Sequence, residues 1–143
     1  LTLGELKVIL SSFLELKASR EMKLSIVSFG YKYGLPLDAD LVMDMRFLPN
    51  PNYISGLKGK TGMDKPVINF LIKNPVVKEF FKKYVEIINS LVPLYIKEGK
   101  SYLTIAVGCT GGRHRSVFIA NHLARALNNR GFKVSEFHRD MRK

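Results

Sequence analysis

The chain has 143 residues, 46% of them hydrophobic and 24% charged, which predicts one globular domain with a single core. No apolar run approaches the roughly 20 residues that a membrane-spanning helix needs, which excludes that class of protein. The single cysteine excludes an intrachain disulfide and is typical of a reducing cytoplasm. The formal charge of +11 favours partners that carry phosphate, such as nucleic acid or phosphorylated metabolites.

The first half of the chain predicts a helix, two strands and a long loop. Thr2 and Glu5 form a capping box that opens a helix to about residue 16. Apolar runs at 23–29 and 39–48 predict strands, joined by the turn-rich stretch GYKYGLP. Residues 50–66 are rich in glycine, proline and asparagine and predict a long loop, a feature that is often functional in a compact domain.

The second half alternates strands and helices. A short helix is expected at 66–73, and the longest amphipathic pattern follows at 74–99. Residues 101–108 read as a buried strand, 115–129 as a helix closed by Gly131, and 132–137 as a last strand before the basic tail HRDMRK. This order favours one α/β domain with a partly parallel sheet.

The stretch GCTGGRHRS, residues 108–116, combines the features of an anion-binding loop. The preceding strand leads to the carboxyl edge of the sheet, where α/β proteins bind ligands. Gly111 and Gly112 let backbone N–H groups converge on an oxyanion, and the next helix directs its positive end to the same place. Further donors come from Thr110, Arg113, His114, Arg115 and Ser116. We therefore expect an anion site here.

Cys109 gives this loop a second interpretation. Cys109, Arg115 and Ser116 match the C-x5-R-S pattern of cysteine phosphatases, in which a thiolate is the nucleophile. That chemistry needs a general acid, for which Asp44 and Asp64 are candidates. A glycine precedes the cysteine where those phosphatases usually carry histidine. A phosphatase is thus the alternative to a loop that only binds phosphate.

Two other motifs bear on function. Asp44 and Arg46 share one face of an alternating strand, so they form either a structural ion pair or part of a pocket in which Arg46 binds phosphate and Asp44 accepts from a sugar hydroxyl or ammonium group. The stretch LKGKTG, residues 57–62, is not a nucleotide P-loop, because Ile54 stands where that motif needs glycine.

Three stretches, SFGYKYGLPLDADLVMDMRFLPNP, TGMDKPV and YLTIAVGCTGGRHRSVFIA, resemble the carboxy-terminal domain of the bacterial RapZ/YvcJ family of RNase adapter and nucleotide-binding proteins. The resemblance covers residues 28–143. It implies a single three-layer α/β domain over residues 1–143 with a mostly parallel sheet, similar to a phosphofructokinase subdomain, that assembles into homo-oligomers. Residues 1–22 would be a linker or helix that follows an amino-terminal P-loop domain of a longer protein.

The resemblance also implies a function without a cofactor: the domain binds small RNA, presents it to endoribonuclease E and senses glucosamine-6-phosphate. The loop and the resemblance together give as ligand-binding residues Asp44, Arg46, Asn50, Cys109, Thr110, Gly111, Gly112, His114, Arg115 and Ser116. RNA-binding residues would be Arg113, Arg130, Lys133, Arg139, Arg142 and Lys143. Residues 113–143 hold eight arginines and lysines against two acids, a net charge of +6, although Asp140 interrupts the basic tail.

Three functions are therefore compared. A ligand-sensing RNA adapter accounts for the loop, for the Asp44 and Arg46 pair and for the basic end of the chain. A cysteine-dependent phosphatase, with Cys109, Arg115 and Asp44 as catalytic residues, leaves the basic end without a role. A regulatory domain would use the loop for an acidic or phosphorylated partner protein. We favour the first.

Overall fold

The computed structural model describes residues 2–143, except for the side chains of residues 15–21. The described chain contains four helices and four strands, with short 3-10 turns at Tyr31–Tyr33 and Pro51–Tyr53. In chain order the elements are α1 (Leu3–Glu21), β1 (Lys23–Gly30), β2 (Leu41–Asp44), α2 (Lys65–Ile72), α3 (Pro75–Lys97), β3 (Tyr102–Cys109), α4 (Arg115–Asn129) and β4 (Lys133–His138).

The strands form one parallel sheet in the order β2-β3-β1-β4. The register pairs Gly30 with Cys109, so β1 and β3 end together at the carboxyl edge of the sheet. The prediction of an α/β domain with a mostly parallel sheet is confirmed. Because β3 lies at the centre of the sheet, the loop that follows it emerges between the ends of its neighbours, where ligands bind in this class of fold.

The two faces of the sheet differ in cover. One face packs against α2, α3 and α4 and forms the core. Its fully buried strand residues are Leu24, Ile26, Leu103, Ile105 and Val107. On the opposite face Tyr102 and Phe137 remain 62% and 59% exposed. The connection from β1 to β2 contains a 3-10 turn, Tyr31–Tyr33, which agrees with the turn-rich stretch that the sequence predicts there.

Local hydrogen bonds fix the start of the first helix and the end of the second strand. The capping box is present: the Glu5 N–H donates to Thr2 Oγ1 at 3.0 Å, and the Thr2 N–H donates to Glu5 Oε2 at 2.8 Å. The helix continues to Glu21, beyond the expected residue 16. The second strand is shorter than predicted and stops at Asp44, whose carboxylate accepts from the Arg46 N–H at 2.9 Å and turns the chain.

Candidate anion-binding site

The loop between β3 and α4 folds back onto the end of β1. Gly112 has φ +76°, and a Cβ there would lie 2.6 Å from the Gly30 nitrogen and 2.9 Å from the Asp140 Cβ. The Gly30 N–H in turn donates a 2.7 Å hydrogen bond to Asp140 Oδ2. Backbone packing therefore requires glycine at position 112, and its role is to shape the loop.

The folded loop forms one side of a cavity of about 300 Å³. The other walls come from the turn after β1 and from the long loop around Pro51–Tyr53. The lining residues are Lys32, Asn50, Asn52, Tyr53, Cys109, Thr110, Gly111, Arg113, His114 and Arg115. Three of these lining residues are lysine or arginine and none is acidic, so the cavity is suited to an anion.

Arg115 joins the loop to the segment after β2. It is only 4% exposed, and its Nη1 donates to the carbonyl oxygens of Arg46 at 2.7 Å and Leu48 at 3.1 Å. Its Nη2 lies 3.4 Å from Thr110 Oγ1. The Nε of Arg115 is buried and has no partner. Arg115 thus ties the loop to the segment after β2, and its Nε–H remains without an acceptor.

Arg113 and His114, the two residues before Arg115, also carry buried nitrogen atoms that complete no hydrogen bond. Arg113 donates from Nη2 to the Gly59 carbonyl oxygen at 3.2 Å, while its Nε has no partner. His114 is 7% exposed and lies against the backbone of Leu57, Lys58 and Lys60, although its Nε2 completes no hydrogen bond. Burial lowers the pKa of His114, so its ring is neutral at neutral pH. Buried polar atoms without partners are uncommon, and both arginine Nε–H groups belong to residues that line the cavity.

Cys109 forms part of the cavity wall and is 3% exposed. Its Sγ lies 3.1 Å from the hydroxyl oxygen of Ser116, which is fully buried at the start of α4. This contact ties the end of β3 to the first turn of the helix. Ser116 therefore lies behind the wall rather than on it.

Asp44 and Arg46 pair with each other beside the cavity. Arg46 Nη2 donates to Asp44 Oδ2 at 2.7 Å, and Nε donates to Oδ1 at 2.9 Å. The Arg46 guanidinium also lies 4.0 Å from the centroid of the Tyr31 ring. Hydrogen bonding by Arg46 lowers the pKa of Asp44, so this carboxylate is ionised and paired at neutral pH. Neither side chain lines the cavity.

Six of the ten predicted ligand-binding residues therefore meet around one cavity: Asn50, Cys109, Thr110, Gly111, His114 and Arg115. The other four, Asp44, Arg46, Gly112 and Ser116, surround it without lining it. Sequence reasoning missed Lys32, Asn52 and Tyr53 and gave Arg113 another role. The signal for Lys32 was its place directly after β1, since all strands of a parallel sheet end at one edge.

The six cations expected to bind RNA do not form one cluster. Arg130 and Lys133 lie where β4 begins, at the amino edge of the sheet, and Arg130 pairs there with Glu86 of α3. The others lie at the carboxyl edge, in the loop or after β4: Arg113, Arg139, Arg142 and Lys143. One continuous strip of charge therefore does not join all six.

Asp140 neutralises part of the basic tail. It is fully buried and accepts hydrogen bonds from Gly30, from Arg139 at 2.7 Å and from Lys143 at 3.0 Å. Burial alone would raise the pKa of Asp140, but these hydrogen bonds outweigh burial and lower its pKa to about 2. Arg139 and Lys143 thus help to fix the tail beside the loop.

Two further properties concern the part of the chain that the structure describes. No group of three or more His, Cys, Asp and Glu side chains within it is arranged to hold a metal ion. None of its helices is both long and apolar enough to cross a membrane.

Comparison with known proteins identifies the family. The model of the RapZ C-terminal domain matches residues 22–142. A nucleotide-binding protein of Caldicellulosiruptor bescii is 53% identical over 131 residues, which cover 92% of this chain and 45% of that protein. A nucleotide-binding protein of Limosilactobacillus reuteri is 56% identical over 120 residues, or 84% of this chain and 41% of that protein. The chain spans about half the length of the curated relatives it matches, and it belongs to the RapZ C-terminal domain family.

Proposed function

We propose that this domain senses a phosphorylated amino sugar, glucosamine-6-phosphate, in the cavity of the β3–α4 loop, and that it binds RNA through exposed cations. The observation that carries the proposal is a cavity lined by three cations, Lys32, Arg113 and Arg115, and by no carboxylate, next to buried nitrogen atoms without partners. A phosphate monoester supplies acceptor oxygens and negative charge together. A volume of about 300 Å³ lies at the small end of ligand pockets and suits a small metabolite.

The structure changes the role proposed for Asp44. Because Asp44 is paired with Arg46 outside the lining, the sugar's amino and hydroxyl groups would meet the amide and phenol oxygens of Asn50, Asn52 and Tyr53. These neutral acceptors can bind an ammonium group without a counter-charge. The phosphate, bound by Lys32 and the loop arginines, would therefore supply most of the affinity.

The RNA part of the proposal is supported by the +11 charge, and the relatives are named nucleotide-binding proteins. Cations at the carboxyl edge, Arg142 above all, would contact RNA phosphates without reading sequence. Presentation of the RNA to endoribonuclease E, assembly into homo-oligomers and residence in the cytoplasm belong to the same proposal.

The geometry favours binding over hydrolysis of the phosphate ester. A phosphatase needs an acid that protonates the leaving group, whereas Asp44 is held ionised by Arg46. The Nη1 group of Arg115 is occupied by two backbone carbonyls, and Cys109 Sγ contacts the Ser116 hydroxyl group. The phosphatase alternative nevertheless makes a distinct prediction, which the following experiment tests.

The test is a calorimetric titration of this domain with glucosamine-6-phosphate, glucosamine and inorganic phosphate, with phosphate release measured in the same samples. We expect saturable binding of the sugar phosphate, tighter than either control, with the ester left intact. Lys32→Gln should weaken this binding about tenfold, the loss of one charge-assisted hydrogen bond. Lys82→Gln, on the exposed side of α3, is the matched control and should change nothing.

Two results would contradict the proposal. Equal affinity of the Lys32→Gln and Lys82→Gln proteins would show that the sugar phosphate binds elsewhere. Release of phosphate that is lost in Cys109→Ser would make the domain a phosphatase.

A further inference from the structure

The open face of the sheet is organised in rows across the strands. The strand register places Tyr102, Lys23 and Lys133 side by side in the first row, at the amino edge. The second row consists of the hydroxyl residues Thr104, Ser25 and Ser135. The third row is apolar and consists of Val42, Ala106, Val27 and Phe137. The face thus changes from cationic and aromatic, through hydroxyl, to apolar along the strands.

The aromatic rings and lysines of this face are accessible. Tyr102 and Phe137 are 62% and 59% exposed, and Lys23 Nζ lies 5.3 Å from the Tyr102 ring centroid. Within residues 2–14 and 22–143 no carboxylate pairs with Lys23 or Lys133. A shallow groove of about 480 Å³ runs along the first two rows.

An open face is unusual for a parallel sheet, because parallel sheets are normally covered on both sides. When helices cover both faces of a sheet, the sequence of each strand is a nearly continuous run of apolar residues. Here the first half of β1 alternates between buried residues and exposed or half-buried ones, and Ser25 and Ser135 face outward. This alternation indicates a face that contacts water or a polar ligand.

Charge indicates which polar ligand would fit. Asp40 and Asp44 border the face but are paired with Lys100 and Arg46, so the free charge on the face is positive. A second copy of the chain would bring the same sign of charge to this face, so charge favours a polyanion over self-association here. A polyanion that carries flat apolar rings would match both the positive charge and the exposed aromatic rings of this face.

We propose that the open sheet face is a binding platform for single-stranded RNA, separate from the sugar phosphate cavity and from the basic tail. Bases stack on Tyr102 and Phe137, Lys23 and Lys133 contact the phosphates, and the hydroxyl row contacts base edges or ribose 2′-hydroxyls. The two rings are offset by four residues along the strands and by two strands across the sheet. With the spacings of a sheet, the distance between them is about 16 Å, a distance that two or three nucleotides span. The inference rests on the proposed RNA-binding function.

The test measures binding of a labelled 12-nucleotide single-stranded RNA, and of a duplex of the same length, by fluorescence anisotropy. The variants are Tyr102→Ala/Phe137→Ala and the ring-preserving Tyr102→Phe/Phe137→Tyr. Phe47→Ala is the matched control, since Phe47 is 55% exposed and packs against Phe80 of α3, away from this face. The three substituted aromatic residues are all exposed, so circular dichroism should confirm that each variant folds.

We expect the alanine pair to weaken single-strand binding at least tenfold, and the ring-preserving pair and Phe47→Ala to bind within twofold of wild type. Lys23→Gln/Lys133→Gln should reduce the slope of log affinity against log salt by about 1.4, or 0.7 for each RNA phosphate that a lysine no longer neutralises. Duplex binding should not depend on the two rings.

Three outcomes would overturn the inference. Unchanged single-strand affinity in the alanine pair, together with weaker binding by Arg142→Gln, would leave RNA binding in place and move it to the tail. Absence of RNA binding by the wild-type chain would remove the RNA part of the proposed function as well. Wild-type dimers that dissociate in the alanine pair, seen by light scattering, would make the face a protein interface.

Discussion

The β3–α4 loop and residues 139–143 lie side by side at the carboxyl edge of the sheet, and both are rich in cations. In the loop, Arg113 and Arg115 are held by backbone carbonyls, and each keeps a buried Nε without a partner. In the tail, Arg139 and Lys143 are paired with the buried carboxylate of Asp140. Similar cations thus have different surroundings, since the loop arginines keep donors without partners and most of the tail is paired with Asp140.

The largest expected effect concerns the glycine at which the two regions touch. Gly112→Ala places a Cβ 2.6 Å from the Gly30 nitrogen at a positive φ, so we expect a loss of about 3 kcal/mol or more in the free energy of unfolding. Gly111→Ala has no atom within 4 Å of the new Cβ and should cost less than about 1 kcal/mol. Urea denaturation measures both. Equal losses would contradict the packing of the loop against Asp140.

The next effect tests the structural role of the tail. Asp140→Asn removes a buried carboxylate that accepts from Gly30, Arg139 and Lys143, and should lower the free energy of unfolding by about 2 kcal/mol at pH 7. Because the folded pKa is lowered from 3.8 to about 2, this stabilisation is present above pH 4 and is lost as the pH falls towards 2.

Urea denaturation between pH 7 and pH 2.5 measures this dependence. The difference in stability between wild type and Asp140→Asn should shrink as the solution is acidified. Asp38→Asn, in an exposed turn, is the control and should follow wild type at every pH. A difference that stays constant with pH would show that Asp140 is not the ionised partner of the tail.

The smallest effect separates the cations of the tail from one another. Arg142→Gln should leave stability within about 0.5 kcal/mol of wild type. It should weaken RNA binding two- to threefold and reduce the salt slope by about 0.7 to 1. Arg139→Gln should instead destabilise the fold by about 1 kcal/mol, because Arg139 donates to Asp140 and to the Gly34 carbonyl oxygen. A loss of stability in Arg142→Gln but not in Arg139→Gln would show that Arg142, and not Arg139, stabilises the fold.

Most of the fold followed from periodicity and turn chemistry. The strand before the loop, the helix after it and the parallel arrangement were predicted because Gly108, Gly131 and the apolar runs mark them locally. The extent of the first helix was not, since it continues to Glu21, beyond the predicted residue 16. The end of β2 was missed because a side-chain hydrogen bond at Asp44 overrides strand propensity.

The site was predicted where its residues are consecutive in sequence. The loop residues were identified together, since one short stretch holds both glycines and the cations. Lys32, Asn52 and Tyr53 come from two other loops, and only the sheet brings them to the same edge. Asp44 and Arg46 were correctly seen as neighbours, but spacing could not show whether they bind a ligand or each other.

The central claim is that the unpartnered donors of the loop bind a phosphorylated ligand, and NMR of the arginine side-chain Nε–H groups tests it most directly. On titration with glucosamine-6-phosphate, we expect saturable shifts of the Arg113 and Arg115 Nε–H signals. The Nε–H of Arg46, paired with Asp44, should stay in place. Saturable shifts at Arg46 with none at Arg113 and Arg115 would contradict the claim.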